Sequence, residues 1–510
     1  MFTGLLTAIV FLPAAAAVGV LALRRDQAVR WFAIGATVVE LVLTIVLFAG
    51  YDRAAGGVQF VDYIGNWIPV PGFRVEYLLG VDGLSLPLVL LTGILGSAAA
   101  FASWRITKRI REYFAWLLVL QSAVTGVFLS LDFLLFFIFW EIELLPMYFL
   151  ISIWGSGRPQ YSALKFVLFT LTGSAFMLVG ILALYLTADI NTFRMVSVTG
   201  AGAGIPDLVE GARLIAPAGL IFAFLFIAFA VKLPLLPLHN WLPDAHTDAP
   251  TAVSVMLAGV LLKMGGYGLL RVSVGMFQET PGFVVGDVAW LLAVLAVVSV
   301  LYGAVVTLRQ TDLKRLIAYS SVSHMGYVVL GVSSIVAVTG AGTAGVAGTA
   351  GLNGAALQLF THGVITGLLF LLVGLAYDRT HTRYIPHLGG LAGRMPFIAA
   401  AFLVAGLASL GLPGLGGFVA EILVFLGTFG PWAWAAGLGA FGVVLAAGYI
   451  LWMAQRVFFG PRPEHLEHVD DAHWVDMIPV AGLIVPIVLV GVYPSWLTDV
   501  FRAGIEATLR

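Results

Sequence analysis

The chain of 510 residues contains no cysteine. That excludes disulfides, thiolate metal ligands and a cysteine nucleophile. Charge is scarce: Asp, Glu, Lys and Arg make up 10% of the residues, against roughly 25% in a soluble domain. The net charge is −1 and no basic stretch offers a surface for nucleic acid. There is no HExxH, no GxxxxGK[ST], and no GxGxxG following a soluble strand. No paired-histidine haem pattern stands out, and no polar region is long enough to fold a nucleotide-binding domain. The chain therefore carries no redox centre and no bond-making chemistry of its own.

What is present is apolar. Hydrophobic residues reach 60% and the mean hydropathy is +1.02. Windows of about 20 apolar residues, the length that spans a bilayer, recur from end to end. They are continuous rather than alternating, which argues against a transmembrane β-barrel. An all-α polytopic membrane protein is expected, with about 14 spans. These fall near 3–22, 31–50, 83–104, 113–131, 133–154, 162–187, 213–236, 250–272, 287–308, 315–334, 352–377, 397–427, 433–457 and 477–497. The first segment has its basic residues, Arg24 and Arg25, after the apolar run. A cleavable signal has the reverse order, so this segment reads as a retained helix.

Loop charges set the orientation. Sixteen of the 26 Lys and Arg residues fall in odd-numbered connections, as in RITKRIRE and RQTDLKR, and seven lie on the other side with the termini. Basic loops stay cytoplasmic. The expectation is a multi-pass protein of the bacterial plasma membrane with both termini outside.

Two spans are interrupted. The seventh runs into AVKLPLLPLHNWLPDAHTDAPTA, and the twelfth contains GLASLGLPGLGGFVAEI, with Pro413 between glycines. Proline removes a backbone donor and clashes with the preceding turn. Freed backbone groups at membrane depth are tolerated only inside protein or beside water. Five-helix units starting at the fourth and ninth spans place a break at the fourth member of each. Corresponding broken helices point to an inverted-repeat transporter, and ordinary proline kinks are the competing reading. The implied division is a three-helix segment over 1–112, repeats over 113–273 and 286–458, and a loop with the last helix over 459–510.

The remaining three lysines sit inside spans, as do two lone glutamates: Lys165, Lys232, Lys263, Glu141 and Glu421. A charge at the bilayer centre costs roughly 2.5–3.5 kcal/mol on insertion scales and marks an ion or proton path. Lys263 lies midway through its span, beyond reach of either interface. Lys232 and Glu421 each accompany a break. Glu143 stands two residues from Glu141, so the two point to different sides of a helix; a helix–helix hydrogen bond serves Glu143 as well as a relay role. Lys165 is about one turn into its span and is interfacial or functional. His324 and His362 are mid-span, and histidine both donates and accepts near neutral pH. His239 and His246 lie in the loop after the first break and read as loop structure or proton uptake.

Assembled in order, FWEIELLPMYFLISIWG, AFAVKLPLLPLHNWLPDAHTDAPTAVSVMLAGVLLKMGGYGLLR, RQTDLKRLIAYSSVSHMGYVVLG, LQLFTHGVITGLLFLLVG and LASLGLPGLGGFVAEI give the chain a family likeness. From about 130 to 425 it resembles the antiporter-like, proton-pumping subunits of respiratory complex I, the NADH:quinone oxidoreductase. The resemblance implies that Glu141 pairs with Lys232, that Lys263 is the central relay, and that Lys165 modulates the pair. It implies relay or hydration positions for His324 and His362 and a terminal station at Glu421. The glutamate at 421 points to the M branch, because the L and N branches and Mrp relatives carry lysine there. Further implications are L-type and N-type neighbours, membrane lipid, and partner subunits that carry FMN and iron–sulfur clusters and bind quinone. The alternative is an Mrp-type cation/proton antiporter subunit. A purely structural spacer is the third reading.

Overall fold

In the computed structural model, residues 3–70, 73–187, 191–199, 202–209, 214–278, 280, 282–339 and 345–509 are described. Residue 213, where the seventh expected span begins, lies outside them. Among the described residues eleven helices are long and apolar enough to cross a membrane. Four shorter apolar helices accompany them: Leu86–Ala102, Ala218–Lys232, Pro396–Ser409 and Gly416–Phe429.

Burial grades the long helices from centre to rim. Thr251–Val274, Leu313–Ile335 and Thr349–Thr380 are buried along their whole apolar windows. A helix that is apolar on every side and covered on every side belongs at the centre. Around them, helices such as Asp26–Gly50, Pro159–Tyr185 and Ala433–Phe459 leave most residues of their apolar windows partly or wholly exposed. Val42, Leu168, Phe441 and Val444 are among their exposed side chains, as befits a lipid-facing ring.

Both interruptions are physical breaks. The first helix of the seventh span ends at Lys232, where Pro234 follows. Leu235 N–H reaches back to Ala230 O at 2.9 Å rather than to the Val231 carbonyl. The Trp241 indole N–H takes that freed carbonyl at 3.0 Å. In the twelfth span, Pro396–Ser409 and Gly416–Phe429 are separated by a turn. Gly411 and Gly414 sit there with φ of +77° and +90°, a left-handed conformation that costs glycine nothing.

Two elements lie outside the expected spans, and one of them is not helical. Gln59–Val70 and Phe73–Val81 form an antiparallel hairpin in the connection between the second span and the third. The stretch is rich in Val, Ile, Tyr and Trp, residues that suit a pleated surface, and it is too short and too polar to span. After the last span, Ser495–Thr508 forms an extra helix that buries Leu497, Val500, Phe501, Gly504 and Ile505 on one face. Its three-and-four spacing is that of an amphipathic helix docked along the protein surface.

The hairpin is fastened to the first helix by one carboxylate. Asp62 accepts from the Thr3, Gly4 and Thr7 amides at 2.7–2.9 Å and from both threonine hydroxyls at 2.9 Å. Burial pushes the Asp62 pKa up, but these donors outweigh it and hold it below the usual carboxylate value. A lowered native pKa gives stability that is fully present above the ordinary carboxylate range. That stability is lost as pH falls through the depressed value. Amide exchange at Thr7 should therefore stay slow at neutral pH and accelerate only in acid, and Asp62→Asn should abolish that acid step.

Candidate functional site

The central site is built on Thr251–Val274. Leu257–Leu261 widens to π-helical geometry, a distortion often found at functional positions. The widened turn leaves the Ala258 carbonyl to the Lys263 ammonium, which donates to it. Lys263 is fully buried, and its Nζ also lies 2.8 Å from His362 Nδ1. No carboxylate among the described residues is within ion-pair distance of it.

The polar line continues from there. His362, on the Gly345–Thr380 helix, keeps a buried Nε2 without a partner. Its ring lies 5.6 Å from the ring of His324. His324 Nε2 meets Ser409 Oγ at 3.2 Å and Tyr449 OH at 3.3 Å. Its Nδ1 stands 3.6 Å from Glu421 Oε1. Ser409 ends one half of the broken twelfth span and Glu421 lies in the other, so the break brings both to one histidine. Lys263, His362, His324 and Glu421 thus form a buried series of groups that donate, accept or do both.

Lys232 occupies a second buried station. Its ammonium lies 5.2 Å from the Trp140 ring and 5.5 Å from that of Phe166. The helix carrying it crosses that of Lys263 closely: a Cβ at Gly265 would overlap Phe229 O and Leu233 N.

The carboxylate in direct contact with Lys232 is Glu143; Glu141 is electrostatically coupled to the same ammonium without an ion-pair contact. The expected pairing came from the resemblance, which carries no local geometry. The fifth span is two helices, Phe133–Ile142 and Leu144–Trp154, with Glu143 at the joint. Pro146, having no N–H, leaves the Ile142 carbonyl without a helical partner and loosens the turn. Glu143 is fully buried, whereas Glu141 is half-buried, with an unpartnered buried Oε1.

Lys165 stands apart from this pair. It binds Asp244 at 2.7 Å, and Asp244 also lies 3.7 Å from Arg315. It ties the Pro159–Tyr185 helix to the short Leu242–Asp248 helix after the first break. His246 is fully buried in that short helix, its ring 4.5 Å from Phe370 and nearly parallel to it, with neither ring nitrogen hydrogen-bonded. His239 packs against Tyr302.

Several buried charged groups escaped the sequence reading. Lys314 donates to Ala249 O at 2.6 Å, but in sequence it passes for a loop residue of RQTDLKR. Arg271 pairs with Asp82 at 2.5 Å, although their positions at span ends look interfacial. Glu40 is fully buried in ATVVELVLTIVLF, and the lone-charge criterion that singled out Glu421 would have found it. Among the described residues no group of His, Asp and Glu is arranged to hold a metal ion.

The comparisons with known proteins fall on the same residues. Positions 130–446 match the family model described as NADH:quinone oxidoreductase/Mrp antiporter, TM. NADH-quinone oxidoreductase subunit M of Rhodobacter capsulatus is 42% identical over 98% of this chain and 95% of its own. NAD(P)H-quinone oxidoreductase chain 4 1 of a Synechococcus strain is 41% identical over 99% and 93%. A chain in the structure of respiratory complex I from Thermus thermophilus with bound NADH superposes with a TM-score of 0.84. It is 28% identical, and the match covers 99% of this chain and all of that one.

Proposed function

The chain belongs to the NADH:quinone oxidoreductase/Mrp antiporter family of membrane subunits, and on that premise we propose that it is a proton-translocating subunit of an NADH:quinone oxidoreductase. The observation that carries the reading is the buried line Lys263–His362–His324–Glu421, because each neighbouring pair can hand on a proton directly or through one water. Redox energy comes from partner subunits that carry FMN and iron–sulfur clusters and reduce quinone. Of the three, this chain supplies none.

In this reading fourteen spans cross a bacterial plasma membrane and both termini lie outside. Residues 113–273 and 286–458 are the two inverted repeats, each with one broken helix. The breaks place Lys232 and Glu421 beside backbone that is not helical, where water and freed carbonyls can solvate a charge. Protons enter from the cytoplasmic side, charge Lys263, and leave by way of Glu421. Lys232 biases that charging through its carboxylates: while it is paired its charge is offset, and once released it repels a proton arriving at Lys263. Lys165, held by Asp244 at the cytoplasmic edge, acts on Lys232 only at a distance. The neighbours are L-type and N-type subunits of the same complex, seated against the apolar outer helices with lipid between.

His362 tests the continuity of the line. In the intact complex reconstituted in sealed vesicles, His362→Leu should keep assembly and quinone reduction but lower the protons moved per NADH oxidised. An unchanged ratio would contradict the route.

A further inference from the structure

We propose that Glu40, held by Gln121 and Thr125, is a second proton-binding site of this chain, separate from the Lys263–Glu421 line and occupied as a neutral carboxylic acid.

Glu40 lies in the Asp26–Gly50 helix, about 21 Å along from its first residue and about 15 Å from its last at 1.5 Å per residue. It is fully buried, as are Gln121 and Thr125, one turn apart on the Ile110–Leu129 helix. Gln121 Nε2 donates to Glu40 Oε2. Among the described residues no cation is within ion-pair distance, and an ionised carboxylate buried without a cation is strongly disfavoured.

Counting donors gives the same answer. Thr125 Oγ1 stands 2.9 Å from Glu40 Oε1 and 2.9 Å from the Gln121 carbonyl oxygen one turn back. A hydroxyl has one hydrogen and cannot donate to both acceptors. If Glu40 carries a proton, its O–H donates to Thr125, and Thr125 donates to the Gln121 carbonyl. The second carboxyl oxygen accepts from the Gln121 amide, so the acid satisfies the chain of donors in full. Ionised Glu40 would compete with that carbonyl for the one hydrogen. Gln121 Oε1, buried and without a partner, leaves a further acceptor beside the carboxyl.

The neighbouring helix both makes room for this site and insulates it. On Leu86–Ala102, a Cβ at Gly96 would overlap the Gln121 side chain, and one at Gly93 would crowd Thr44. The same helix presses Leu91 and Leu95 against Gly259, Gly363 and Gly367, on the two helices that carry Lys263 and His362. The leucine side chains of this one helix thus stand between Glu40 and the central line, and among the described residues no hydrogen bond joins Glu40, Gln121 or Thr125 to that line.

Infrared difference spectroscopy of the purified complex at neutral pH tests this. Native minus Glu40→Gln should show the loss of one protonated-carboxyl C=O band. Thr125→Val should shift that band with Glu40 still in place, which keeps the test available if Glu40→Gln fails to assemble. Loss of carboxylate bands instead, or no shift in Thr125→Val, overturns the proposal. The pumping arm alone rests on the proton-translocating reading. Glu40→Gln should pump as the native complex does, and loss of pumping with the band would put Glu40 on the transfer route and overturn its separateness. A His362 variant that pumps fully would sink the proposed function without touching the band.

Discussion

Replacing Lys263 by methionine is expected to produce a complex that assembles, reduces quinone and moves few or no protons. The two halves of this expectation have different causes. Among the described residues Lys263 has no carboxylate partner, only the Ala258 carbonyl and His362. Removing its charge therefore strands no counter-ion, and methionine of similar length refills the site. Replacing buried charge with well-packed apolar groups is commonly neutral or stabilising, so the variant should denature no sooner than the native complex. Proton transfer, by contrast, loses the only group in the Thr251–Val274 helix that can take up a proton beside His362. A thioether cannot substitute at any pH. Loss of assembly in Lys263→Met, with full pumping in whatever assembles, would mark the residue as structural.

The second large effect belongs to the pair next to it. Glu143→Gln leaves the Lys232 ammonium buried between Trp140 and Phe166 without its carboxylate. Breaking a buried ion pair on one side costs about 3–5 kcal/mol. Removing both charges together, as in Glu143→Gln with Lys232→Met, should recover most of that loss, since no orphaned charge remains. Thermal denaturation of the four members of the cycle would measure it. Glu141→Gln is expected to cost far less stability, because Glu141 is half-buried and couples to Lys232 without an ion-pair contact. Equal destabilisation by the two single glutamate variants would contradict the assignment of Glu143 as the partner.

That assignment shows where reading from sequence stops. Lone charges in apolar runs identified Lys232, Lys263 and Glu421, and mid-span position identified His324 and His362. These signals survive because a charge or imidazole in hydrocarbon is rare for energetic reasons that no fold cancels. The choice between Glu141 and Glu143 turns on a helix joint of one residue, and two residues on different sides of a helix leave that choice open in the sequence. The family resemblance favours Glu141 because it carries a motif position and not a local bend. Lys165 reads as interfacial or functional, and the structure adds its partner Asp244 from a short helix 79 residues away, which no pattern reveals. The hairpin at 59–81 was hidden because attention to spans treats every connection as loop. Glu40 was missed only because the lone-charge criterion was not carried back to the second span.

The proton-to-electron ratio bears on the central claim most directly. With the whole complex sealed in vesicles, protons taken up per NADH oxidised would be measured for the native protein and for Lys263→Met at matched rates of quinone reduction. The account predicts a clearly lower ratio for the variant. A ratio equal to that of the native complex would contradict it.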